Sequence, residues 1–151
     1  MELSKDILEF IQLLNLEKVE YLVVGGWAYG LHYKPRYTKD IDILIGKTSH
    51  NAEKMMRVVN AFGFGSLDIS KDDFLKEGYI IQLGFAPNRI DILTDIVAVD
   101  FKLAYENRIS INYKNIELMV IGIDDLIKNK ESAARDQDLV DVKALKKMKD
   151  Q

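Results

Sequence analysis

Cysteine is absent from this 151-residue chain, so a disulfide framework and a thiolate metal site are both excluded, and cysteine usage says nothing of the redox compartment. With two histidines in all, there is no histidine cluster to bind zinc. An excess of basic residues is also missing. The 21 Lys and Arg face 24 Asp and Glu, for a net charge of −3, so no long nucleic-acid track is expected, although a local basic patch stays compatible with this balance. No apolar run reaches the roughly 20 residues of a membrane span. The N-terminal MELSKDILEF interrupts its apolar residues with acids, unlike a signal peptide. A cytoplasmic location with no membrane partner is therefore expected. Proline is scarce, and Pro35 and Pro87 are both expected in turns. Repeats, low-complexity tracts and linkers are lacking. With 48% hydrophobic and 30% charged residues, the chain is long enough for one ordinary domain with its own core.

The hydrophobic periodicity predicts a mixed α/β (α+β) domain, a small sheet backed by helices. Ser4 can cap a first helix carrying Ile7, Ile11 and Leu14, with Leu3, Phe10 and Leu13 beside them. Residues 20–24 read as a strand ending at Gly25-Gly26, followed by a short helix over 28–33. Residues 40–45 alternate, with Ile41, Ile43 and Ile45 on one face and Asp40, Asp42 and Leu44 on the other. Ser49 can cap the next helix, which bears Ala52, Met55, Met56, Val59 and Phe62 and stops at Gly63. Two hairpins follow, 79–85 with 89–94 through Ala-Pro-Asn, and 109–112 with 116–121 through Tyr-Lys-Asn. Helices over 124–134 and about 138–148 close the chain.

The residues that carry chemistry are acidic. Strand residues i and i+2 share a face with Cα atoms roughly 6.5 Å apart, so Asp40 and Asp42 can lean towards one point. Aspartate is a poor strand former, and two side by side repel, which a divalent cation would offset. In RIDILTDI, Asp91 lies between Ile90 and Ile92 as Asp42 lies between Ile41 and Ile43. If the two strands are neighbours, three carboxylates converge on one face. Oxygen donors of this kind suit Mg²⁺ or Mn²⁺ better than zinc. The plainer reading is that Asp-Ile-Asp marks the wet side of an amphipathic strand. Against it stands the Gly25-Gly26 pair, which, at the end of a strand and the start of a helix, supplies backbone N–H groups for a phosphate. A tight turn needs the same glycines, but phosphoryl chemistry requires both a phosphate cradle and a metal platform, and the two lie within some twenty residues.

YLVVGGWAYGLHYKPRYTKDIDILI resembles the signature of the minimal nucleotidyltransferases of the DNA polymerase β-like superfamily: strand, Gly-Gly, short helix, then Arg-x-Thr-x-Asp-Ile-Asp. RIDILTDI is similar to that family's third-aspartate strand, and IGIDDLIKNKESAARDQDLVDVKAL to its C-terminal segment. The resemblance runs from about Leu8 onward and is nearest to small bacterial stand-alone members such as antibiotic nucleotidyltransferases and abortive-infection toxins. It implies one nucleotidyltransferase domain over 1–151, with a core of about 8–121 and a helical segment of about 123–149. It also implies that Asp40, Asp42 and Asp91 hold two Mg²⁺ ions, Mn²⁺ being an alternative, and that Gly25 and Gly26 hold the β- and γ-phosphates of a nucleoside triphosphate. An acceptor hydroxyl would attack the α-phosphate and release pyrophosphate. One ion would lower the hydroxyl's pKa, the other would neutralise the leaving group, and Asp91 would take the proton.

By the same resemblance Thr38 contacts phosphate or a metal-bound water, Arg36 belongs to the Arg-x-Thr element, and Lys130 reaches the triphosphate as a point charge. The plainer alternatives are a strand threonine, a surface arginine and a solvated lysine, with Lys128 the rival to Lys130. Arg135, Asp138 and Asp141 also match the family, and capping or ion pairing is the expected role. His32 matches too and is expected to be packed or hydrogen-bonded, with Trp27 in the core or a pocket wall. Tyr33 and Lys34 stand where the family commonly has a glycine, which bears on the loop before Pro35. The acceptor, whether small molecule, tRNA or protein, would be gripped by loops of this domain, by a second copy or by a partner protein. Two other classes fit the same residues: a non-catalytic nucleotide-binding or antitoxin-like partner, and a metal-dependent phosphohydrolase or nuclease.

Overall fold

The computed structural model describes residues 2–36, 38, 40–63, 68–85 and 88–151. Helix α1 (Lys5–Leu16) starts where Ser4 accepts from the Ile7 N–H at 3.2 Å, and it buries Ile7, Phe10, Ile11 and Leu14 along one face. Strand β1 (Tyr21–Val24) passes without a loop into α2 (Gly25–His32). This helix begins three residues before the expected Ala28, because Gly25 takes φ +66° and turns the chain in a conformation that glycine adopts freely. After β2 (Asp40–Ile45), helix α3 (Ser49–Ala61) is capped by Thr48 in place of the expected Ser49. Its Oγ accepts from the Asn51 N–H at 3.1 Å, and Gly63 follows the helix at φ +99°.

Strands β3 (Ile80–Leu83) and β4 (Arg89–Leu93) form the first predicted hairpin, whose Ala86 and Pro87 lie outside the described residues. The second joins β5 (Ile109–Tyr113) to β6 (Ile116–Val120) through Lys114 and Asn115. Both are left-handed, as a two-residue turn matched to strand twist requires. Helices α5 (Ile123–Ala133) and α6 (Asp136–Lys149) follow. Two short elements were not expected: a 3₁₀ turn at Lys71–Leu75 that seats Phe74 in the core, and α4 (Phe101–Glu106), capped by Asp100.

The strands form one mixed sheet in the order β3-β4-β2-β1-β6-β5. β2 runs antiparallel to β1 and parallel to β4. The isoleucine face of the two central strands is closed from solvent, with Ile41, Ile43, Ile45 and Ile92 at 0% exposure and Ile90 at 2%. Each such burial contributes about 1.5–3 kcal/mol. On the opposite face Leu22 and Leu44 are equally buried, and α2 packs on β1, β2 and α5. Further along the same strands stand the aspartates, Asp40 and Asp42 half-buried and Asp91 buried. Asn51 fixes this arrangement from α3. Its amide accepts from Glu20 N at 2.8 Å and donates to Glu20 O at 3.1 Å and Gly46 O at 2.9 Å, clasping the start of β1 to the end of β2. No described helix is long and apolar enough to cross a membrane.

Candidate active site

The register of the sheet gathers the acids. Asp42 stands opposite Asp91 on β4 and opposite Val24 on β1, and Asp40 stands opposite Arg89. Partners in register share a face, so all three aspartates point the same way. Carboxylate oxygens of Asp40, Asp42 and Asp91 all lie within 4.8 Å of one another. Burial, followed by the charges of Asp40 and Asp91, pushes the Asp42 carboxyl up to about 7. Burial likewise raises Asp91, against the hydrogen bonds it accepts from Arg89.

Arg89 is the residue that the sequence reading missed. Its Nε donates to Asp91 Oδ1 at 2.9 Å, and its Nη2 bridges Asp91 Oδ2 at 3.1 Å and the Asp40 carboxylate. Its signal was the Arg-Ile-Asp spacing, which sets Arg89 two residues before Asp91 and hence on the same face. Three carboxylates against one guanidinium leave two formal negative charges. Arg89→Gln should lower the melting temperature of the metal-free protein at pH 8 and enlarge the increase that added Mg²⁺ produces. Differential scanning calorimetry with and without Mg²⁺ checks this; equal melting curves for variant and wild type would contradict it.

The glycines meet the acids from the other side. A Cβ on Gly25 would run into the Asp42 carboxylate, and one on Gly26 would lie 2.5 Å from the Thr38 methyl. Their missing side chains let the β1–α2 junction approach the aspartates. No side-chain hydrogen bond caps α2 and no acid stands in its own first turn, so the oxygen nearest this helix end is that of Asp42. Gly25→Ala combines a left-handed alanine, roughly 1–2 kcal/mol on its own, with a displaced Asp42. The expected outcome is a less stable protein with weakened Mn²⁺ affinity, read by thermal unfolding and calorimetric titration; wild-type values in both would contradict the close packing.

Residues 2–150 match the family described as nucleotidyltransferase of unknown function (DUF6036). The chain belongs to this nucleotidyltransferase family. Among curated proteins none matches it. Solved structures similar to this nucleotidyltransferase include TM1012 of Thermotoga maritima, with TM-score 0.59 and 15% identity over 93% of this chain and 88% of that one. The lincosamide antibiotic adenylyltransferase LnuA, solved with lincomycin bound, gives 0.58 and 14% over 98% and 99%. ANT(2")-Ia, in complex with adenylyl-2"-tobramycin, gives 0.57 and 11% over 92% and 84%. At these identities the likeness is one of fold.

Two of the remaining predicted residues of the nucleotidyltransferase, Arg36 and Lys130, meet at a second centre, Asp141 of α6. This carboxylate is fully buried and accepts from Arg36 Nη1 and Nη2 at 2.7 and 2.9 Å, Lys130 Nζ at 2.7 Å and Gln137 Nε2 at 2.9 Å. Burial alone would raise Asp141, but these donors outweigh it and hold the carboxyl below its ordinary value. Arg36 also lies over the Tyr29 ring at 4.3 Å. Lys130 is buried, whereas Lys128 is exposed. Thr38 is half-buried beside Gly26, and Trp27 walls a cavity of about 70 Å³ with Gly26, Pro35 and Arg36. His32 Nε2 lies 2.7 Å from Ile121 O, a packing role. Arg135 ion-pairs with Asp138 at 2.7 Å, and Asp138 Oδ2 caps α6 by accepting from the Arg135 N–H at 3.2 Å.

Proposed function

We propose that this nucleotidyltransferase moves a nucleoside monophosphate from a nucleoside triphosphate to an acceptor hydroxyl and releases pyrophosphate, with two divalent cations, Mg²⁺ or Mn²⁺, held by Asp40, Asp42 and Asp91. The observation that carries this reading is the meeting of those three carboxylates, oxygens within 4.8 Å, against the Gly25-Gly26 junction. The donor set is oxygen only and keeps two formal negative charges after Arg89 is counted, which fits a hard divalent ion. When bound, such ions supply Lewis-acid activation of the hydroxyl and neutralise the leaving group.

The chain's own residues do the rest. The backbone N–H groups at Gly25 and Gly26 receive the β- and γ-phosphates, with Thr38 beside them. Asp91, on the strand away from the glycines, takes the acceptor's proton as the new P–O bond forms and the α–β bridging bond breaks. Arg36 and Lys130 add positive field from the Asp141 network. Residues 1–151 act as one domain, with the segment 123–149 closing one side of the site. LnuA is a lincosamide antibiotic adenylyltransferase and ANT(2")-Ia holds adenylyl-2"-tobramycin, so a small hydroxylated molecule is one acceptor class; a tRNA end or a protein hydroxyl offers the same nucleophile. The acceptor is held by this domain's loops, a second copy or a partner protein.

Purified protein with Mg²⁺ and α- or γ-labelled triphosphates tests the reading. Transfer gives labelled acceptor together with pyrophosphate. Free phosphate or monophosphate alone would indicate hydrolysis, and binding without turnover a non-catalytic partner; either result contradicts the proposal.

A further inference from the structure

The C-terminal segment brings three cations, Arg36, Lys130 and Arg135, against two carboxylates, Asp138 and Asp141, and the cations are not equivalent. Lys130 is 4% exposed, with Asp141 at 2.7 Å, Asp138 at 3.6 Å and the Tyr29 ring at 5.6 Å around its ammonium. Drawing it out to a ligand would strand a buried carboxylate, a strongly unfavourable exchange. Arg36 has both terminal nitrogens on Asp141 and its plane over Tyr29. Arg135 differs: its side chain is 80% exposed, while the Asp138 carboxylate that holds it is 3% exposed.

That contact fixes the guanidinium without using it up. Nε donates to Asp138 Oδ2 at 2.7 Å and Nη2 to Oδ1 at 3.3 Å. Of the five N–H donors of an arginine, three therefore point elsewhere. Ala134, immediately before it, takes φ +55°, a conformation that non-glycine residues adopt at a cost, and this bend turns the chain from α5 into α6. The bend puts Arg135 at the α5–α6 junction, where Asp138 is joined through Lys130 and Asp141 to Arg36, which lines one cavity with Gly26. Its guanidinium acts electrostatically on Asp42, and Asp42 acts back on it. A fork of fixed orientation, with three donors unspent and a full charge, in the network that extends to Arg36 beside the glycine junction, is suited to a phosphate seated at that junction.

We infer that Arg135, aimed by Asp138, grips the outer phosphates of the triphosphate from the C-terminal segment, and that Lys130 serves as a positioning residue by keeping Asp141 and Arg36 in place. The inference rests on the nucleotidyl-transfer reading above. It assigns the ligand-touching cation of this segment to the exposed member of the cluster and gives the buried lysine a supporting role.

Arg135→Gln leaves the cap of α6 intact, because the cap is made by the Arg135 backbone N–H and the Asp138 carboxylate. The test is calorimetric titration of inorganic tripolyphosphate at fixed excess Mg²⁺, a probe independent of the nucleotide base. Arg135→Gln should weaken tripolyphosphate binding about tenfold or more, and Arg135→Lys should recover part of the loss. Affinity for Mn²⁺ alone should stay the same or rise in both variants, since a neighbouring cation is removed or kept. Tripolyphosphate affinity in Arg135→Gln equal to wild type overturns the assignment, as does a parallel loss of Mn²⁺, which indicates general damage to the site. If the wild type binds Mn²⁺ but no tripolyphosphate, the nucleotidyl-transfer reading itself falls, and this inference with it.

Discussion

Asp42→Asn is expected to abolish metal-dependent nucleotide binding and turnover while making the metal-free protein more stable at pH 8. The carboxyl ionises near pH 7 in the folded chain against an ordinary value of 3.8, chiefly because it is buried and then because Asp40 and Asp91 repel its charge. Below pH 3.8 the group is protonated in both folded and unfolded states and contributes nothing. Between 3.8 and about 7 the folded state holds the proton more tightly, so stability falls as pH rises, and above 7 the whole penalty is present. At about 1.4 kcal/mol per pKa unit, the penalty is on the order of 4 kcal/mol. Asparagine removes it. Urea denaturation at pH 4 and pH 8 should show little difference between variant and wild type at the lower pH and a clear gain for the variant at the higher. Saturating Mg²⁺ should stabilise only the wild type. A variant that is less stable at pH 8, or that still turns over, would contradict the assignment.

The second large effect is expected at Asp141, and it has the opposite sign. Asp141→Ala leaves the Lys130 ammonium buried with Asp138 alone, at 3.6 Å, and removes the bidentate anchor of Arg36. Breaking a buried ion pair from one side costs about 3–5 kcal/mol, a large share of the roughly 5–15 kcal/mol that holds an ordinary domain folded. Because Arg36 lies in the segment between α2 and β2, and Asp141 in α6, the same change releases the C-terminal helices from the loop that carries Thr38. Asp141→Asn, which keeps the shape and one carbonyl acceptor, should fall between alanine and wild type. Chemical denaturation of the three proteins at pH 7 measures this, and a loss below about 1 kcal/mol for alanine would show that the network is not holding the helices.

What the sequence made legible was local. Strict alternation through Asp40–Ile45, and the repeat of an isoleucine-flanked acid at Asp91, predicted two strands whose acids would meet if the strands were neighbours, and the parallel register of β2 and β4 brings them together. Ser4 and Gly63 punctuate the chain where their backbone preferences lead one to expect, and the second hairpin turns within the expected Tyr-Lys-Asn, although Tyr113 extends β5 and leaves Lys114 and Asn115 to make the turn. The misses are of two kinds. Some were close local contests: Thr48 and Ser49 are adjacent and both residue types cap helices, and a glycine pair reads as a turn until one knows that Gly25 bends straight into a helix. Helix α4 has six residues with Leu103 exposed, too short for any periodicity to emerge.

The other misses depend on contacts between distant positions. Arg36 and Asp141 are 105 residues apart, so nothing near either one announces that they pair. Lys130 was picked out as a cation of the right segment, but its burial against Asp141 follows from how α5 packs beside α6. Arg89 was visible in the motif next to Asp91, yet its bridge to Asp40 exists only because β4 adopts that register against β2. Position in sequence gave the chemistry of each side chain, and the sheet decided which charges it would meet.

The most direct test of the central claim is a crystal structure of the protein with Mn²⁺ and a triphosphate whose α–β bridge cannot be cleaved, recorded at a wavelength where manganese scatters anomalously. Anomalous peaks are expected among the carboxylates of Asp40, Asp42 and Asp91, about 2.0–2.3 Å from their oxygens, with the phosphates against Gly25 and Gly26. Nucleotide bound elsewhere, with no peak among those three side chains, would contradict it.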